Sequence, residues 1–359
     1  MMADPTRHQR AREGLDDCLQ RLVAHPDVAH ATFAVRRGDG SFTWRGALGE
    51  ARPDGTPMTV DTTYFVASID KLVTATAVFL LAERGSLDLD APMLAYLPAE
   101  LGAGLHVMGG TDRTDQVTVR HLLSHTSGLP DYFEGKRRDG GTLAADLFSG
   151  HDRAYGLAQV LAWARDEMHP AFAPGADGRA LYSDTNFYLL AEIVARTTGD
   201  SLDTALARRI TGPLGLTGTA FFKPGMAALP LRLGARVIEV PQALTSMPGD
   251  GGAVSCLVDL ARFTRAFFAG GLFPASFLDD LQPWRRVFFP LRAGTGVLRF
   301  AVPRWLPPFR RGLEFIGHSG ISGAIAFACP ARGRIIVGTV NQLQDRGRPY
   351  RMMIKAALA

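Results

Sequence analysis

"YFVASIDKLVTATAVFLLAERG", residues 64–85, decides how the rest of the chain is read. Its pattern predicts a helix that is apolar almost all the way round and ends at Gly85 as a C-cap. Such a helix belongs inside a protein. Yet Lys71 stands in its first turn, three positions after Ser68. Lysine is scarce in this chain: of 39 basic residues, only Lys71, Lys136, Lys223 and Lys355 are lysines, and the rest are arginines. A lysine in a buried helix of so arginine-rich a sequence calls for a chemical reason.

Residues three apart on a helix share a face. Ser68 falls at the helix N-terminus, where unpaired N–H groups and the dipole favour negative charge. The serine therefore has two assets. An adjacent amine can take its proton, and its own N–H can hold a developing oxyanion. Burial lowers a lysine's pKa because it disfavours the charged form, and a neutral amine is a usable base. The plainer alternative makes Ser68 an N-cap and Lys71 a side chain that snorkels out of the first turn. Ser-x-x-Lys alone does not decide between them.

The bulk numbers bound the answer. The chain has 359 residues, 47% of them hydrophobic, enough for a large core in one big domain or about two smaller ones. A net charge of +4 and a pI near 9.1 are a mild excess, and no basic block of five or more occurs, so a nucleic-acid or membrane-surface footprint is missing. Cys18, Cys256 and Cys329 are odd in number and far apart, giving neither a disulfide framework nor metal-ligand spacing. The first residues lack the apolar core of a secretory signal and read instead as an amphipathic helix carrying Leu15, Cys18, Leu19 and Leu22. No apolar run is long enough to span a membrane. The expectation is a cytoplasmic protein.

Along the chain, "HATFAVRRGDGSFTWRGALGEA" reads as a β-hairpin about Gly38-Asp39-Gly40. Residues 91–205 show helical pieces and no convincing strand. "GGAVSCLVDLARFTRAFFAGG" reads as a glycine turn, Ser255 as N-cap and a helix. "LEFIGHSG", "GAIAFACPARG" and "RIIVGTVNQ" read as strands, and "RPYRMMIKAALA" as a closing helix. The expected fold is α+β: an antiparallel sheet flanked by helices, built discontinuously from 1–90 and 206–359, with a mostly helical insertion at 91–205.

Two further motifs answer Ser68 and Lys71. "ALYSDTNFYLLAEIVARTTGD" (180–200) and "FIGHSGISGAIAF" (315–327) follow in order, with "HLLSHTSGLPDY" (121–132), "FAPG" (172–175) and "GDGGAVSCLVDLARF" (249–263) among them. The set resembles the serine β-lactamase and penicillin-binding protein family, above all its class C, esterase and D-aminopeptidase branch. The likeness runs from about residue 25 to 345. Tyr182 falls in the place of the family's Tyr-x-Asn tyrosine and Asp184 in that of its asparagine. His318, Ser319 and Gly320 match its Lys-Thr-Gly strand.

The resemblance implies a β-lactamase/transpeptidase-like fold and roles for these positions. Ser68 would be the nucleophile that forms an acyl-enzyme, with Lys71 its first base or hydrogen-bond partner. Tyr182 would move the proton to the leaving group and help activate water. The N–H groups of Ser68 and Ile321 would form the oxyanion hole, and Asp184, His318, Ser319 and Gly320 would bind substrate. No cofactor or metal is called for.

Two departures matter. Asp184 is an anion where the family often has an amide; if it reaches Lys71 it raises that pKa and shifts proton transfer towards Tyr182. Asn186 is an alternative source of the amide. His318 replaces a lysine and is mostly neutral at pH 7, which removes a cation suited to carboxylate-bearing substrates. A required neutral His318 predicts that turnover falls below a pH of ~6.5. His125 reads as a loop-fixing hydrogen bonder and Cys256 as a packed core residue. "PWRRVFFP" (283–290) and "PRWLPPFRRG" (303–312) read as cleft lining or ordinary loops.

The expected function is a serine hydrolase, an esterase or amidase on small acyl substrates. Alternatives are an acyltransferase of the same fold, a β-lactamase or D,D-carboxypeptidase, which His318 and the N-terminus disfavour, and a non-catalytic binding or scaffold protein. The last would need a broken site, whereas serine, lysine and tyrosine are all in place.

Overall fold

The computed structural model describes residues 5–302 and 312–359. Its centre is an eight-stranded sheet, antiparallel throughout. In chain order the strands are β1 (His30–Arg37), β2 (Thr43–Gly49), β3 (Arg285–Phe288), β4 (Leu291–Gly294), β5 (Val297–Val302), β6 (Leu313–Ser319), β7 (Ala324–Cys329) and β8 (Arg334–Thr339). In space they run β3-β4-β5-β6-β7-β8-β1-β2. The N-terminal hairpin therefore joins the sheet through β8, in register Val35 opposite Ile336.

The period-2 pattern sorts side chains by size as well as polarity. Phe33, Val35, Ile325, Phe327 and Ile336 point to one face, where they are covered by α1 (Pro5–Val23) through Leu15 and Leu19 and by the C-terminal helix through Met352 and Met353. The opposite face presents Ala34, Ala324, Ala326 and Val337. Its small side chains let helices approach closely, and the larger core forms there, around α2 (Asp70–Glu83), α3 (Asp184–Thr198) and α4 (Leu257–Phe268). The C-terminal helix, α5, spans Gly347–Leu358.

Several local expectations change. The helix in the opening stretch starts at Asp70, not at residue 64. Tyr64–Phe65 is a short strand paired with Val254 and Ser255, and Ala67 at φ +47° breaks the path before a 3-10 turn at Ala67–Ile69. Ser255 does not cap α4. It closes the strand Ala253–Ser255, its hydroxyl is bonded to Thr219, and Cys256 occupies the cap position without a side-chain bond. Residues 91–205 contain one small hairpin, Val107–Met108 with Thr111–Asp112. "PWRRVFFP" is more than a loop, since it supplies β3. "PRWLPPFRRG" lies outside the described residues apart from its final glycine.

Candidate active site

Ser68 is held by the loop before α2. Phe65 O accepts a bond from Ser322 Oγ at 2.7 Å, and Val66 N–H donates to Ala253 O at 3.1 Å. Gly320 packs so tightly on this turn that a Cβ there would lie 2.2 Å from Val66 O, so only glycine fits. Ala67 is a non-glycine residue in the left-handed region immediately before the serine. Such a conformation costs about 1–3 kcal/mol and persists where the surroundings enforce it. The outcome is a half-buried Ser68 at the start of a helix, with the backbone of Gly320-Ile321 alongside.

Lys71 is fully buried. Its Nζ donates to Ser68 Oγ at 3.3 Å and to the carbonyl oxygen of Asp250 at 2.5 Å, and forms an ion pair with Asp184 Oδ1 at 2.5 Å. Burial alone would depress this amine, but the charges of Asp184, Tyr182 and Asp250 outweigh it and hold its pKa above the ordinary 10.5. Lys71 therefore rests as an ammonium. The neutral-amine reading of the opening motif is overturned by a partner 113 positions downstream, and the conditional expectation for Asp184 holds.

Tyr182 and Asp184 enter the site together at the start of α3. The loop 125–132 clamps that start. Ser183 Oγ and Thr185 Oγ1 both donate to Pro130 O, Ser183 N–H donates to His125 Nδ1, and Asp184 N–H donates to Asp131 Oδ1 at 2.9 Å. The His125 ring stacks on Tyr182 with centroids 4.4 Å apart. Because His125 Nδ1 accepts, its proton sits on Nε2, and burial keeps the ring neutral. The tyrosine hydroxyl faces Ser68 and Lys71, whose Nζ is 5.3 Å from the ring centroid. Burial raises the Tyr182 pKa above 10, so it too rests neutral. Asn186 does not reach Lys71. Its side chain is spent on Ser127 and His125, which removes it as the source of the missing amide.

His318 is buried at the end of β6, with Nδ1 bonded to the carbonyl of Ser319 at 2.9 Å. Burial and the nearby Lys71 charge lower its pKa to about 3. The expected acid limb near 6.5 therefore does not belong to His318. Ser319 shares a 2.6 Å bond with the Tyr350 hydroxyl. Thus Ser68, Lys71, Tyr182, Asp184, His318, Ser319, Gly320 and Ile321 meet at one place.

Sequence reading missed the rest of the acidic shell. Asp70, Asp131 and Asp250 are all buried, like Asp184. Burial raises Asp70 to about 7; the amides of Gly249, Gly251 and Ala253 face it, yet neither carboxyl oxygen makes a hydrogen bond. Burial and the Asp184 charge likewise raise Asp131 to about 7. Asp250 Oδ2 accepts from the Tyr132 hydroxyl at 2.6 Å while Oδ1 is unpartnered. The available signals were an acid beside Lys71 in an apolar helix and an acid before the glycine pair 251–252.

Two spaces meet at Ser68. An inner pocket is narrow and apolar, walled by Phe65, Leu147, Val240, Leu244 and Met247, with Asp250 among its lining. An outer cleft of about 550 Å³ is lined by Tyr182, His318, Ser319, Phe288, Arg346 and Tyr350. Among the described residues no group of three His, Cys, Asp or Glu is arranged to hold a metal ion.

The fold brings a serine, a lysine and a tyrosine together at one cleft. The Beta-lactamase family model matches residues 15–358, and the chain belongs to that family. Esterase EstB of Burkholderia gladioli is 32% identical over 302 residues, covering 79% of this chain and 71% of EstB. Putative penicillin-binding protein PbpX of Bacillus subtilis is 26% identical, and the chain spans only 54% of its length. A D-stereospecific amidohydrolase from Streptomyces sp. has a similar solved structure, with a TM-score of 0.75, 28% identity, and 97% and 98% of the two chains covered. No described helix is long and apolar enough to cross a membrane.

Proposed function

We propose that this hydrolase cleaves small esters or amides through an acyl-enzyme on Ser68. The observation that carries the reading is the geometry of Lys71, buried, bonded to Ser68 Oγ and paired with Asp184, beside Tyr182; the ion pair favours an ammonium there and burial keeps the tyrosine protonated. The ammonium orients the serine oxygen. As Ser68 attacks the carbonyl carbon, its proton passes to the Tyr182 oxygen while the tyrosine's own proton passes to the departing oxygen or nitrogen. The charged lysine steadies negative charge that develops between them. The N–H groups of Ser68 and Ile321 receive the carbonyl oxygen. A water entering from the outer cleft then attacks the acyl carbon; its proton passes to the Tyr182 oxygen while the tyrosine's proton passes to Ser68 Oγ, whose bond to the acyl carbon breaks and frees the acid.

Asp184 holds Lys71 in its charged form, and His318, Ser319 and Gly320 form the cleft wall against which substrate lies. A neutral His318, with the rim arginines paired to Glu134 (Arg346) and Asp345 (Arg351), disfavours β-lactams and D-Ala-D-Ala peptides as substrates. We read residues 1–90 with 206–359 as the sheet unit and 91–205 as the helical insertion, and the cytoplasm as the site of action. Turnover of p-nitrophenyl acetate against nitrocefin tests the ranking. Ester cleavage well above nitrocefin cleavage is expected; comparable rates would make the chain a β-lactamase.

A further inference from the structure

The two spaces at Ser68 differ in a way that assigns the two halves of a substrate. The leaving group must depart after the first step and water must take its place. The outer cleft is the larger space and is rimmed by Arg346 and Arg351, so it suits that traffic. The acyl group stays through both steps and suits the narrow apolar pocket on the other side. One feature of that pocket is out of keeping with its walls. Asp250 is 97% buried, its Oδ2 is bound by the Tyr132 hydroxyl, and its Oδ1 has no hydrogen-bond partner. A buried polar atom left unpaired costs about 1–3 kcal/mol. Asp250 also stands close to the chemistry, because Lys71 Nζ bridges Ser68 Oγ and the Asp250 carbonyl at 3.3 and 2.5 Å.

Resting on the Ser68 acyl-enzyme reading, we propose that the inner pocket receives the acyl chain and that Asp250 Oδ1 recognises a hydroxyl on its second or third carbon. Proximity to the nucleophile sets that position, since the pocket's remaining walls are mainly apolar. A hydroxyl fits better than an ammonium for two reasons. Lys71 already places a fixed cation here, and a second one would be desolvated beside it. Burial holds the Asp250 carboxyl well above the ordinary carboxylate range, and a hydroxyl both donates and accepts, so it matches a neutral carboxyl whichever oxygen carries the proton.

The test compares p-nitrophenyl esters of butyrate, 2- and 3-hydroxybutyrate and 3-aminobutyrate, with each kcat/KM divided by the ester's spontaneous hydrolysis rate. At least one hydroxy ester should exceed butyrate about tenfold in the wild type, the scale of one buried hydrogen bond. Asp250→Asn, a neutral mimic, should keep the preference, and Asp250→Ala should lose it. Equal values for butyrate and both hydroxy esters in the wild type overturn the proposal even if the alanine variant does not fold. So does a larger gain for the amino ester that Asp250→Asn abolishes. If no ester at all is cleaved, the acyl-enzyme reading fails first, and the two failures are told apart.

Discussion

Replacing Asp184 by asparagine asks which form of Lys71 works. The carboxylate lies 2.5 Å from Nζ at closest approach. Taking charge centres about 4 Å apart and an effective dielectric near 20, the attraction is about 4 kcal/mol. At 1.36 kcal/mol per unit, that is about three pKa units. Burial, which opposes the charged form, stays in place. Asp184→Asn should therefore pull the lysine's titration down by about three units, from far above its ordinary value to close to it. The assay is kcat/KM from about pH 6 to about 11 for a p-nitrophenyl ester, corrected for spontaneous hydrolysis. If the ammonium is the working form, the variant gains an alkaline limb that the wild type lacks, and activity falls as pH rises. A variant whose kcat/KM climbs with pH would show that the neutral amine is the base and refute the positioning role of Lys71.

Three further outcomes follow from the same geometry. His318→Gln should leave the position of any acid limb unchanged between pH 5 and 8, because His318 is held neutral down to about 3; a limb that moves with this substitution would place the histidine in the titration. Asp70→Asn should raise Tm more at pH 8 than at pH 5. With a folded pKa of about 7 against an ordinary 3.8, the folded state keeps a proton that the unfolded chain releases, so wild-type stability rises as pH falls through 7 towards 4, by up to about 4 kcal/mol. Thermal melts that are parallel for both proteins at the two pH values would contradict this. Gly320→Ala should lower kcat/KM by about 10²-fold while the protein remains folded by circular dichroism, since the added Cβ must push Val66 and with it the turn that carries Ser68. Unchanged kinetics would mean that the turn is not the scaffold described above.

The readable parts of the chain were those where local pattern and tertiary role agree. The alternation in "HATFAVRR" and "GAIAFAC", the hairpin glycines and the closing amphipathic helix all specify their element and its buried face. Ser68 and Lys71 drew attention because a lysine is out of place in an apolar helix, whereas Tyr182 and His318 were legible through the family resemblance of the motifs that carry them. What stayed hidden depends on distance in sequence. Tyr64–Phe65 looks helical until Val254 and Ser255 pair with it. The strands at 285–302 carry arginines that mask their alternation. Above all, the carboxylate that pairs with Lys71 and the backbone carbonyl that accepts from it come from two distant segments, and no spacing rule relates Asp184 and Asp250 to the lysine. The charge state of Lys71 is a property of that assembly, which is why the motif alone pointed to a neutral amine.

The most direct check on the central claim is covalent labelling read by intact mass and peptide mapping. Wild-type protein and Ser68→Ala are each incubated with a fluorophosphonate. A single adduct on the wild type, mapped to the peptide that contains Ser68 and absent from Ser68→Ala, is the expected result. No adduct on the wild type, or one that persists in Ser68→Ala, would contradict the assignment of Ser68 as nucleophile.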